Sequence, residues 1–134
     1  MITSSIKYIH SLKTKAKHNR SGNSFITDAP IYNNGEGEYF SPTDLAATSL
    51  ACCMLTVMGI YADQHQLHLG EIDCALAKEM DDNPRRIKAI SIVVKWRTKL
   101  DEKAIEKLKK IALNCPVAKS LHPDIEQKVT FNLL

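Results

Sequence analysis

Between Leu45 and Ala62 the chain runs for eighteen residues without one charged side chain, and no other feature limits the possible folds as strongly. As a helix this stretch spans about 27 Å, long enough to be weighed as a membrane segment. Its residues argue otherwise. Thr48, Ser49, Thr56 and Gly59 interrupt the apolar run, and its flanks are Asp44 and Asp63 rather than Lys/Arg and Trp/Tyr anchors. An uncharged helix in a chain with 25% charged residues is expected to be a buried central helix, with no membrane contact. Ser41-Pro42-Thr43-Asp44 supplies an N-cap, a proline at the first helical position and an acid that completes a capping box. The helix should therefore open at Ser41 and run to about Asp63.

Period assigns the rest. Residues 2–10 and 12–18 alternate loosely and Ser24 to Thr27 is short and β-prone, so an antiparallel meander is expected, followed by a Pro/Asn/Gly-rich loop from Asp28 to Phe40. Glu71 to Met80 places Ile72, Cys74, Leu76 and Met80 on one face of a strand, and Ile87 to Arg97 does the same with Ile90, Ile92, Val94 and Trp96. Asp81-Asp82-Asn83-Pro84 turns between them. Residues 101–113 read as an amphipathic helix with Ala104, Ile105, Leu108, Ile111 and Ala112 inward and lysines outward. A short helix to Leu121 and a strand from Gln127 to Leu134 close an α+β chain. Its 134 residues suit a single domain, 1–134.

Composition removes several function classes. A net charge of +3 with interleaved lysines, a single tryptophan and few other aromatics gives neither a basic block nor a stacking platform, so no nucleic-acid partner is expected. The N-terminus lacks the basic, apolar and small-residue zones of a signal peptide, so a cytoplasmic protein is expected. There is no Cys-x-x-Cys and no His-x-x-x-His, and His65, His68 and His122 read as solvated or capping, so no metal is expected. Gly35-Glu36-Gly37 is a turn rather than a phosphate cradle, and no cofactor is implied. Four cysteines remain. Cys53 sits inside the apolar helix and Cys115 directly precedes Pro116, while Cys52 and Cys74 carry no comparable signal. In a reducing compartment, thiols that meet in the fold are more often catalytic or redox-sensing than structural, although free cysteines also serve as small core residues.

SPTDLAATSLACC, the DNPRRI turn and CPVAKSL, in that order and at these separations, resemble the OsmC/Ohr family of thiol peroxidases, with RSGNSFITDAP similar to the N-terminal segment of some members. The resemblance implies an OsmC-like fold of antiparallel sheets around a long buried central helix, in an intertwined homodimer. It implies reduction of organic hydroperoxides or hydrogen peroxide. Cys53, twelve residues after Ser41, would be the peroxidatic cysteine and Cys115 the resolving one. A dithiol, from a lipoyl protein or a thioredoxin-like protein, would recharge the pair. A thiolate on a buried helix needs a nearby cation. Arg20, in Arg20-Ser21-Gly22, resembles the arginine of the hydroperoxide-resistance branch, with Arg86 and Arg85 as competing donors. That branch has a glutamate after the proline, where this chain has Thr43, and Asp44 instead suits the capping box. Cys115, capping the helix that Pro116 opens, is expected to have its pKa lowered by free N–H groups. A non-enzymatic redox sensor or small-molecule binding protein on the same fold is the alternative, followed by a structural dimer whose thiols only pack.

Overall fold

Alternation over the first 28 residues forms an antiparallel meander of β1 (Ser4–His10), β2 (Lys13–His18) and β3 (Ser24–Asp28) in the computed structural model, which describes all of residues 1–134. The chain divides into two compact units, Met1–Ala46 and Ala47–Leu134. In the first, Ile6 pairs with Ala16 and Ala16 with Phe25, while Tyr8 pairs with Thr14 and Thr14 with Thr27. Those residues share one face of the sheet, and Ile6, Tyr8 and Phe25 are exposed on it.

The opposite face carries a buried charge cluster. Lys13 is 7% exposed and Asp28 1%, and Lys13 Nζ lies 3.5 Å from Asp28 Oδ2 and 3.3 Å from Glu36 Oε1. Asp28 Oδ2 also accepts from the Glu38 N–H at 3.3 Å, and the Asp28 N–H donates to the Phe40 carbonyl at 3.1 Å. The 28–40 segment is thereby drawn into a closed loop with a 3-10 turn at Ile31–Asn33. Gly35 is required where the loop folds on itself, since a Cβ there would lie 1.7 Å from the Ala29 carbonyl oxygen. Burial pushes the Asp28 carboxyl up, but the Glu38 N–H and the Lys13 charge outweigh it and hold the pKa below the ordinary value. Lys13 is raised, because Glu36 and Asp28 outweigh its own burial.

α1 (Pro42–Gln64) opens with the capping box closed in both directions. The Ser41 N–H donates to Asp44 Oδ2 at 3.0 Å and the Asp44 N–H donates to Ser41 Oγ at 3.1 Å, satisfying two of the donors that every helix start leaves free. The second unit adds β4 (Glu71–Asp81), β5 (Arg86–Arg97), α2 (Glu102–Leu113), α3 (Pro116–Ser120) and β6 (Glu126–Leu133). β5 is the middle strand of the sheet β4-β5-β6. Its Ile90, Ile92, Val94 and Trp96 are all fully buried, and they join Leu50, Met54 and Met58 of α1 and Ile105, Leu108 and Ala112 of α2 in one core. A register shift at Glu79/Met80 sets Met80 opposite Ile87 and Lys78 opposite Ile90. This bulge keeps Ile87 on the core face although it is an odd number of residues from Ile90. Trp96 Nε1 donates to the Leu69 carbonyl at 2.7 Å, satisfying the polar atom of the largest buried side chain.

Two expectations need correction. The second sheet is mixed, because β6 runs parallel to β5. The α2–α3 crossover is long enough to bring the chain back in the same direction, which a hairpin cannot do. α1 is also not covered on all sides within the chain. It buries Ala47, Leu50, Ala51, Met54, Met58 and Ala62 and leaves Ser49, Cys52, Thr56 and Ile60 exposed, Ile60 at 51%.

The charge cluster gives a signed expectation. Asp28, with a depressed pKa, contributes stability that is complete above its unfolded value of about 3.9 and is lost as pH falls through the folded value. Lys13, with a raised pKa, contributes stability that is complete below about 10.4 and is lost as pH rises through the folded value. Lys13→Met is expected to speed amide hydrogen exchange at Asp28 and Gly35 roughly tenfold at pH 7, because the loop then opens more readily. Unchanged protection would show that the loop holds without the clamp.

Candidate thiol site

Helical phase separates the two adjacent cysteines. At about 100° per residue, with the core face on Leu50, Met54 and Met58, Cys52 and Cys53 fall on opposite flanks of the outward side. Cys53 is half-buried and Cys52 exposed, and all four cysteines are free thiols. On one flank Cys53 lies beside Cys115 and acts on its pKa. On the other, Cys52 acts on Cys74 of β4, whose thiol is pushed up by burial, by the Asp73 charge and by Cys52 itself. The sequence carried no sign of that second proximity, because Cys74 looks like any other inward residue of an alternating strand.

Cys115 is the N-cap of α3, and its Sγ accepts from the Ala118 N–H at 3.4 Å. The side chain is 1% exposed. Contrary to expectation, its pKa is raised. Burial is the largest cause, the Ala118 N–H works against it, and the hydrogen bond and charge of Cys53 push it further up. A hydrogen bond that favours the protonated form is one in which that form donates. Cys115 is therefore held as a protonated thiol beside the Cys53 sulfur.

The three arginines are placed very differently. Arg20 is exposed in the β2–β3 turn, which is closed by the Gly22 N–H to the His18 carbonyl at 2.8 Å and by Ser21 Oγ against His18 Nδ1 at 2.7 Å. Arg86, the first residue of β5, is engaged by the segment that leads into β6. Its Nη1 lies 3.6 Å from Asp124 Oδ2 and its Nη2 3.5 Å from His122 Nδ1, which also accepts the Asp124 N–H at 3.0 Å. Arg85 is exposed beside it. Asp44 is held in the capping box. No three His, Cys, Asp or Glu side chains come together to hold a metal ion. His65 Nδ1–H donates to the Tyr61 carbonyl at 2.9 Å, and its ring stacks on Tyr61 with centroids 3.9 Å apart. The Tyr-His spacing of four residues on a helix is the signal by which that contact could have been foreseen.

Comparison with known proteins follows the same geometry. The family model described as OsmC-like protein matches residues 35–130. A crystal structure of a Psychrobacter arcticus 273-4 protein, provisionally named an osmotic stress induced and detoxification response protein, is 46% identical, with TM-score 0.93 over 98% of this chain and 96% of that one. An OsmC like protein from Mycoplasma pneumoniae shares the fold at TM-score 0.79 and 14% identity, over 98% of this chain and 95% of that one. An organic hydroperoxide resistance protein OsmC from Legionella pneumophila shares it at TM-score 0.72 and 16% identity, over 98% of both chains. No curated protein matches the chain.

Cys53→Ala removes the acceptor of the Cys115 proton, so the Cys115 pKa is expected to fall. The Cys115 13Cβ shift followed against pH in the wild type and the variant measures it. A rise instead would mean that the proton had belonged to Cys53.

Proposed function

The chain belongs to the OsmC-like protein family, and on that premise we propose that it is a thiol-dependent peroxidase that reduces organic hydroperoxides or hydrogen peroxide. Cys53 is the peroxidatic cysteine and Cys115 the resolving one. The observation that carries this reading is the nearness of the two thiols, close enough that Cys53 helps to push the buried Cys115 thiol up. Such a pair divides the labour of a two-cysteine cycle, one sulfur free to attack and the other kept as a neutral thiol until it is needed.

Atoms and electrons balance through the cycle. The Cys53 thiolate attacks the outer oxygen of R–O–O–H, forming the S–O bond and breaking O–O, and RO⁻ leaves and is protonated to the alcohol. The sulfur has then been oxidised by two electrons to the sulfenic acid. The Cys115 sulfur attacks it, the S–S bond forms, and hydroxide leaves with the Cys115 proton as water. An external dithiol reopens the disulfide by two exchanges and departs as its own disulfide. The name of the Legionella protein of the same fold supports organic hydroperoxides as substrates.

The thiolate needs a fixed positive charge where solvent is scarce. We assign it to Arg20, since Arg86 is engaged by Asp124 and His122. The working form is a homodimer. Ile6, Tyr8 and Phe25 on the outer face of the first sheet, and Ile60 on α1, are apolar side chains left between 51% and 66% exposed. A second copy covering these side chains would bury apolar surface that a lone chain leaves in water.

With Cys115→Ser, one equivalent of hydroperoxide is consumed and the reaction stops at a sulfenic acid trapped by a dimedone-type reagent, whereas Cys53→Ser consumes none. In the same assay Arg20→Ala slows peroxide reduction by roughly tenfold or more, a one-unit rise in thiol pKa being tenfold in thiolate. An inert Cys115→Ser together with sulfenic acid in Cys53→Ser would reverse the two roles, and a wild type without turnover on any dithiol would favour the sensor or binding protein.

Sedimentation tests the assembly separately. The wild type is expected to sediment as a dimer at micromolar concentration, and Ile60→Lys to shift it toward monomer. A monomeric wild type contradicts the proposal.

A further inference from the structure

The C-terminal end of α1 and the outer flank of α2 enclose a cleft of about 750 Å³, within the range of small-molecule sites. One wall is an aromatic stack. Tyr61 and His65 lie with centroids 3.9 Å apart and planes 20° from parallel, and the His65 ring is fixed by its 2.9 Å contact from Nδ1 to the Tyr61 carbonyl. Tyr61 covers one face of the imidazole and His65 is exposed, so its other face is open for a further ring. Leu67 and Ala104 add apolar lining.

On the other wall lysines outnumber carboxylates. Lys103, Lys107 and Lys110 line the cleft, spaced four and three residues apart on one stripe of α2, and none is in an ion pair. The two carboxylates of the cleft are each held by a partner on α2, outside any ion pair with the three lysines. Asp101 Oδ1 accepts the Ala104 N–H at 2.8 Å as the α2 N-cap, and Glu106 Oε1 is paired with Lys109 Nζ at 3.1 Å. Three lysines and a fixed aromatic platform lining one cleft match a ligand that is flat on one side and anionic on the other.

We propose that this cleft is a second binding site, for a planar aromatic carboxylate that stacks on His65 and sets its anion against Lys103, Lys107 and Lys110. Tyr61 lies eight residues beyond Cys53 on α1, about 12 Å along the helix axis, so a ligand of this size occupies the cleft without displacing the thiol pair. The site is independent of the peroxidase reading, and it is tested by binding alone.

The probe is 2-naphthoate, titrated into the 15N-labelled full-length protein and followed by amide chemical shifts. Shifts are expected at Tyr61, His65 and Leu67 and over residues 101–110. His65→Ala and the double variant Lys103→Gln/Lys107→Gln should each weaken binding roughly tenfold or more. Neutral 2-naphthamide, which keeps the ring and loses the charge, should bind at least roughly tenfold more weakly, and affinity for 2-naphthoate should fall as salt shortens the reach of the lysines. Lys95→Gln, on the solvent face of β5, should leave it unchanged. No saturable shift at millimolar probe, shifts centred elsewhere, or equal affinity in the lysine variant and the wild type would each overturn the assignment.

Discussion

The packing of α1 against β5 sets the position of everything else in the second unit. Leu50, Met54 and Met58 of the helix and Ile90, Ile92, Val94 and Trp96 of the strand are all at 1% exposure or less. Burying the three large helical side chains contributes on the order of 5–9 kcal/mol, comparable with the net stability of a whole small domain. The rotational phase of α1 is therefore not free to drift. With that phase set, Cys53 faces the α3 side, Cys52 faces β4, and Tyr61 and His65 come to the end of the helix beside the start of α2. A one-residue shift of the helix would turn every one of these side chains by about 100° and carry Cys53 away from Cys115.

Within that frame, the state of Cys115 comes from competition between local and surrounding effects. A cap position offers the sulfur an N–H, which favours the thiolate. Burial removes water and favours the thiol, and the neighbouring Cys53 sulfur supplies an acceptor for the proton. In a dry site the desolvation cost of a charge exceeds what the Ala118 and Val117 N–H groups return to a sulfur acceptor. Burial explains why a cysteine at a helix start, a position that often produces an acidic thiol, here stays protonated.

The first unit solves a different problem. Its sheet has one apolar face with exposed Ile6, Tyr8 and Phe25, so the unit closes its loop by charge instead of by core. Lys13, Asp28 and Glu36 together with the Glu38 N–H tie the 28–40 segment back to β2 and β3. A buried ion pair is costly unless its remaining polar atoms are satisfied. Asp28 Oδ2 meets that condition with two donors, while Asp28 Oδ1 has no partner.

Local chemistry makes much of this legible in the amino-acid sequence by itself. The capping box Ser41–Asp44, the alternation of β4 and β5, the amphipathic α2 and the N-cap at Cys115 are each encoded within a few residues, and each element forms within one or two residues of its expected bounds. The motif spacing also reaches the pair Cys53 and Cys115, whose thiols the fold sets close enough to act on each other. The parallel register of β6, the nearness of Cys52 to Cys74, the commitment of Arg86 to Asp124 and His122, and the burial of Lys13 all depend on segments far apart in the chain. Nothing in a strand's own alternation states its direction or its neighbour, and no single lysine carries a mark of burial. Those were decided by the tertiary structure, because direction, proximity and desolvation are properties of what packs around a residue rather than of the residue and its immediate neighbours.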